Sequence, residues 1–159
     1  MTIELKTVLT DPEMLLMTGF GAGLVPKAPG TAGSLVGALL FFPALFLPIY
    51  VQLGIIVIAL GLGIVFSQRV ADELEIKDPA MVVWDEFVGM WIAMLWLPGL
   101  LWLPIALVVF RLFDIVKPWP VSWADRELDG GLGIMIDDVI AGLMTLAVLR
   151  LVGFLVVTQ

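Results

Sequence analysis

Five carboxylates stand where chemistry is possible. Asp85 and Glu86 are adjacent in VVWDEFVGMW (82–91), and Asp137 and Asp138 are adjacent in GGLGIMIDDVIAG (130–142). Asp114 lies between Arg111 and Lys117 in FRLFDIVK (110–117). Each adjoins a long apolar run, where a charge is costly unless it is paired or holds a metal. Taken singly, each has an ordinary explanation. Acids cap a helix N-terminus favourably, and Arg111, Asp114 and Lys117 recur every third residue as an ion-pair ladder on one helix face. Taken together, the five acids repel one another, and Arg111 and Lys117 are too few to offset them. A hard divalent cation held by carboxylate oxygens resolves this, and magnesium is the usual choice where phosphate is handled.

A second constellation, GFGAGLVPKAPGTAGSLVG (19–37), joins Lys27 to a Pro-Gly turn and to Thr31 and Ser34 at the start of an apolar run. A helix N-terminus with hydroxyls and a nearby lysine suits an anion. It is not a nucleotide-binding P-loop, because the terminal Gly-Lys-Ser/Thr is missing. Close packing of small residues between membrane helices is the competing explanation.

The elements that must position these residues follow from composition. Of 159 residues, 61% are hydrophobic and only 14% charged, with a mean hydropathy of +1.10. That is more apolar than a soluble domain and points to an integral membrane protein of one domain, 1–159. Residues 28–68 carry no charge. Their apolar part, about 33–67, is too long for one span of about 20 residues and divides near Pro48, Ile49 and Tyr50 into a hairpin. Residues 87–110 are also uncharged and break at Leu97-Pro98-Gly99, so a second hairpin with short arms either spans or re-enters. Residues 136–157 form a C-terminal membrane helix, and the first sixteen residues an amphipathic surface helix. The fold expected is an all-α membrane bundle.

All 15 acidic residues fall in 1–32, 69–86 and 111–138, with seven of the eight basic ones; Arg150 is the exception. Two hairpins bring these segments to one face, which the positive-inside rule makes cytoplasmic. Trp96 and Trp102 are placed at one interface, and Trp84, Trp119 and Trp123 at the other. The net charge of −7 argues against a nucleic-acid partner; membrane lipid is the partner expected, and the sequence fixes no oligomeric state. With no cysteine and no histidine, thiol phosphatase, phosphohistidine and imidazole–zinc mechanisms are excluded. Metal-assisted hydrolysis of a phosphate ester remains, with Arg111, Lys117 and Lys27 neutralising phosphate charge, a carboxylate as base and an aspartyl nucleophile as the lesser alternative.

The four blocks GFGAGLVPKAPGTAGSLVG, VVWDEFVGMW, FRLFDIVKPWPVSWADR and GGLGIMIDDVIAG resemble, in order, the signature blocks of the bacterial phosphatidylglycerophosphatase A family. The resemblance implies a magnesium-dependent lipid phosphatase of the inner membrane. Its site would face the cytoplasm and convert phosphatidylglycerophosphate to phosphatidylglycerol. It carries over Asp85, Glu86, Asp114, Asp137, Asp138, Arg111 and Lys117, and Lys27 loosely. Within that set we assign Glu86, Asp137 and Asp138 as metal ligands and Asp85 as base or further ligand. Asp114 would bridge metal and lysine, and Gly30, Thr31 and Ser34 would hold phosphate or glycerol oxygens. Two readings compete. A nucleotide-dependent lipid phosphotransferase would carry D-x-x-D-G-x-x-A-R, which is absent. A divalent-cation or proton transporter would need polar groups at the midplane, which the apolar arms scarcely offer.

Overall fold

The computed structural model describes residues 10–157, all of whose regular elements are helical. The amphipathic helix expected over the first sixteen residues lies largely outside the described residues. The described residues there form a short separate helix, α1 (Pro12–Met17), capped by Asp11, whose carboxylate accepts from the N–H groups of Glu13 and Met14 at 2.9 and 3.4 Å. Proline in its first turn costs no hydrogen bond there.

The first hairpin forms where the charge-free stretch divides. Helix α2 (Pro29–Phe41) tightens into a 3-10 turn (Phe42–Phe46), and α3 (Ile49–Leu74) starts directly after Pro48. Helix α3 runs 26 residues and ends with Glu75 in the left-handed conformation. At 1.5 Å per residue it is about 39 Å long, enough to cross a hydrocarbon core of about 30 Å. The second hairpin has shorter arms, α4 (Trp84–Ala93) of 10 residues and α5 (Leu103–Val116) of 14. These reach only about 15 and 21 Å. Two further helices follow, α6 (Val121–Glu127) and α7 (Gly130–Val157). Among the described residues, three segments are long and apolar enough to cross a membrane: Pro29–Phe46, Ile49–Leu74 and Gly130–Val156.

Helix α4 is the axis of the bundle. Eight of its ten residues are buried, and α2, α3, α5 and α7 surround it. That position explains why it is apolar on all sides beyond its first turn. Trp84 was expected at an interface but is 7% exposed, with its indole N–H donating to the Ala59 carbonyl at 2.9 Å. Trp91 likewise donates to the Gly37 carbonyl at 2.8 Å and stacks on Phe41 at 5.2 Å. The two indoles therefore fill the seam between α2 and α3 and satisfy their polar edges inside it. Trp119 and Trp123 are exposed, as an interface role requires.

Both hairpin turns lie at the same end. Leu45, Phe46 and Ile49 line one cavity with Trp96, Leu97 and Gly99. Arg150 of α7 donates to the Trp96 carbonyl at 3.3 Å at this end. The opposite end gathers the N-termini of α2, α4 and α7 and the C-terminus of α5.

Helices α4 and α7 approach so closely that glycine is required on both. A Cβ on Gly142 would strike the Gly89 carbonyl, and one on Gly89 would meet the Asp138 carbonyl at 2.7 Å. Gly142→Val is therefore expected to destabilise the detergent-solubilised protein by about 1–3 kcal/mol or more, as overpacking does. A thermal melt checks this against Gly61→Val, which enters open space and should leave the midpoint unchanged.

Candidate metal and phosphate site

The four helix ends bring the acids together, but not as one group. Asp85 and Glu86 occupy the first turn of α4. Asp138 arrives from α7, and one oxygen from each of the three carboxylates lies within 4.8 Å of the others. Asp137 points elsewhere. Consecutive helical residues diverge by about 100°, so one member of the pair faces the trio and the other does not. Asp137 instead accepts from the Lys117 ammonium at 2.8 Å, and Lys117 also pairs with Asp125. Burial alone would lower the Lys117 pKa. The hydrogen bonds to Asp125 and Asp137 outweigh it and raise the group above its ordinary value, so Lys117 stays charged.

The pair also sits deeper than a helix cap. Helix α7 begins at Gly130, six residues before the expected boundary, because the Gly131 N–H is satisfied by the Gln68 side chain at 2.8 Å. Asp138 is thus about 12 Å along α7 from its start.

Three oxygens of the trio, Asp85 Oδ1, Glu86 Oε2 and Asp138 Oδ2, are closed off from solvent and have no hydrogen-bond partner. Buried polar atoms are nearly always partnered, and three orphaned carboxylate oxygens in one place fit a hard cation. The neighbouring orphan has the opposite character. Arg111 Nε is a buried donor without a partner. The Arg111 guanidinium otherwise pairs with Asp114 and reaches Glu86 Oε1 and Ser34 Oγ, each at 3.5 Å. Unpartnered acceptors beside an unpartnered donor leave places for a cation and for an anion side by side.

The start of α2 forms the wall of this space. Ser34 donates to the Gly30 carbonyl at 2.7 Å, so its oxygen is free to accept from Arg111. A Cβ on Gly30 would collide with Glu86 Oε1 and approach the Arg111 guanidinium nitrogens at 2.7 and 2.8 Å. Glycine there lets the first turn of α2, whose N–H groups lack intrahelical acceptors, lie directly on the site. Lys27 and Thr31 remain exposed, and neither side chain bonds to a described residue. The expected Asp114–Arg111 pair forms; Lys117, expected to share Asp114, turns to Asp125 and Asp137. Asp125 escaped the sequence reading because 118–129, opened by Pro118 and Pro120, reads as loop. It is in fact interrupted by α6, which follows Pro120 and presents Asp125 to Lys117.

The fold and the site define a helical membrane protein with buried carboxylates beside an arginine at one end. The comparisons specify which. The family described as Phosphatidylglycerophosphatase A matches residues 15–153. Phosphatidylglycerophosphatase A of Escherichia coli (strain K12) is 38% identical over 147 residues, covering 91% of this chain and 86% of that protein. The protein of that name from Haemophilus influenzae is 42% identical over 147 residues, covering 90% of each. A Bacteroides thetaiotaomicron protein, named provisionally as a phosphatidylinositol-3-phosphatase, is 41% identical over 137 residues, covering 81% of this chain and 86% of that one. No solved structure matches. This chain belongs to the phosphatidylglycerophosphatase A family.

Proposed function

We propose that this chain hydrolyses the terminal phosphate of phosphatidylglycerophosphate, giving phosphatidylglycerol and inorganic phosphate, with a magnesium ion held by Asp85, Glu86 and Asp138. The activity comes from the family; the observation supporting the site is the set of orphaned oxygens on these three residues beside the orphaned Arg111 Nε. Arg111 and the first turn of α2 bind and orient the phosphate, with Ser34 fixing the guanidinium. Guanidinium suits this task because its fork matches phosphate oxygens and it is always charged. Asp114 holds Arg111 from the other side. The cation, when bound, supplies charge neutralisation at the phosphoryl oxygens and lowers the pKa of a bound water. A carboxylate of the trio takes the proton of the attacking water, the bond from phosphorus to the glycerol oxygen breaks, and a proton returns to that oxygen. Water is the attacking group in this reading; with no histidine or cysteine in the chain, an aspartate of the site is the alternative nucleophile. Asp137, Lys117 and Asp125 fasten the segment carrying α6 to α7.

The protein is placed in the bacterial inner membrane with this end in the cytoplasm. The charge distribution and the bacterial relatives support that placement. The test is purified protein with phosphatidylglycerophosphate and no nucleotide. Phosphate and phosphatidylglycerol are expected in equal amounts, stopped by EDTA and restored by magnesium. Turnover unchanged by EDTA, or dependent on a nucleotide, would contradict the reading. Parallel assays with phosphatidic acid and a phosphoinositide rank headgroups.

A further inference from the structure

The depth of the acids raises a steric question. A lipid phosphate that meets carboxylates about 12 Å along α7 needs a path between helices for its glycerol and acyl chains. The seams around α4 differ in whether they leave one. Between α3 and α7, a Cβ on Gly131 would strike the Ile64 carbonyl, so backbone lies on backbone. Between α5 and α7, Ala106 and Phe110 are fully buried. Between α2 and α3, Trp84 and Trp91 fill the space. The α2/α5 seam is bridged at its inner end by the polar contact of Arg111 with Ser34. The residues beside these two are apolar and open: Leu35 is 50% exposed, and Val108 and Ile115, one turn either side of Arg111, are 67% and 68% exposed. At the site itself, Glu86, Arg111 and Asp114 keep 13%, 14% and 13% side-chain exposure.

We propose that the seam between α2 and α5 is a lateral portal that admits the glycerol and one acyl chain of a lipid phosphomonoester, with Leu35 and Val108 as its walls and Arg111 at its inner end. The proposal rests on the reading of the substrate as a membrane lipid. An apolar seam closed at one end by a guanidinium with a free donor has the polarity pattern of such a molecule.

The chain contains no cysteine, so single thiols can be placed and capped after folding. Leu35→Cys and Val108→Cys, purified in active form, are assayed before and after reaction with a bulky maleimide. Val57→Cys on the exposed face of α3 (66% exposed) is the control. Two substrates are used, long-chain and dibutyryl phosphatidylglycerophosphate. Capping at 35 or 108 should lower kcat/KM for the long-chain lipid at least about tenfold, leave the dibutyryl analogue within about twofold, and have no effect at 57. Loss of both substrates, loss of neither, or the same loss at 57 overturns the portal. Wild-type protein that cleaves neither substrate overturns the lipid-phosphatase reading itself, and the portal with it.

Discussion

Asp138→Asn is expected to lower phosphate release from phosphatidylglycerophosphate by about 10³-fold or more. Asparagine keeps the shape and one oxygen but removes a charge from a three-carboxylate cation site. A metal at a phosphoryl centre supplies several kcal/mol of transition-state stabilisation, and each 1.36 kcal/mol is tenfold in rate. The same change should not harm the fold. Asp138 Oδ2 has no hydrogen-bond partner to lose, and the substitution relieves repulsion among buried like charges. In EDTA the variant should therefore melt at or above the wild-type temperature, so that activity and stability move apart. Wild-type turnover in the variant would show that Asp138 is not a ligand. Inactivity with a lowered melting point would show a structural role instead.

Arg111→Lys should lower kcat/KM by about 10²-fold, in the range found when one preorganised donor to a developing anion is removed. Lysine keeps the charge and can still meet Asp114. It lacks the planar fork and the Nε donor, the atom that is buried and unpartnered here. If the guanidinium acts mainly as phosphate charge grows in the transition state, the loss appears in kcat more than in KM. A change under about threefold would mean that charge alone suffices, and that the orphaned Nε has no part in binding phosphate.

These two residues also mark how far the sequence alone was informative. The first hairpin was legible because Pro48 interrupts a charge-free run too long for one span. Convergence of the acids was legible because two hairpins leave few ways to arrange three charged segments. The different facing of Asp137 and Asp138 was not. It depends on the phase of α7, which is set by a start at Gly130 that Gln68 of α3 makes possible. A run of three glycines in four residues reads locally as loop, and only the close backbone of α3 makes it helix. Trp84 illustrates the same limit. An indole beside two acids reads as an interface anchor until a partner carbonyl, that of Ala59, is found 25 residues away. Asp125 was hidden because prolines at 118 and 120 suggest that no helix follows, although Pro120 is tolerated directly before the first turn of α6. For Asp138 and Trp84 the missing information is a tertiary contact, which neither propensity nor periodicity encodes; for Asp125 it is a local helix start.

The most direct test is cation binding itself. Manganese replaces magnesium in oxygen sites and reports its own environment by electron paramagnetic resonance. Wild-type protein in detergent or nanodiscs should bind a manganese ion competed by magnesium. Asp138→Asn should lose that ion, while Asp137→Asn, whose carboxylate pairs with Lys117, should retain it. Binding unchanged in Asp138→Asn, or lost in Asp137→Asn alone, would contradict a site built from Asp85, Glu86 and Asp138.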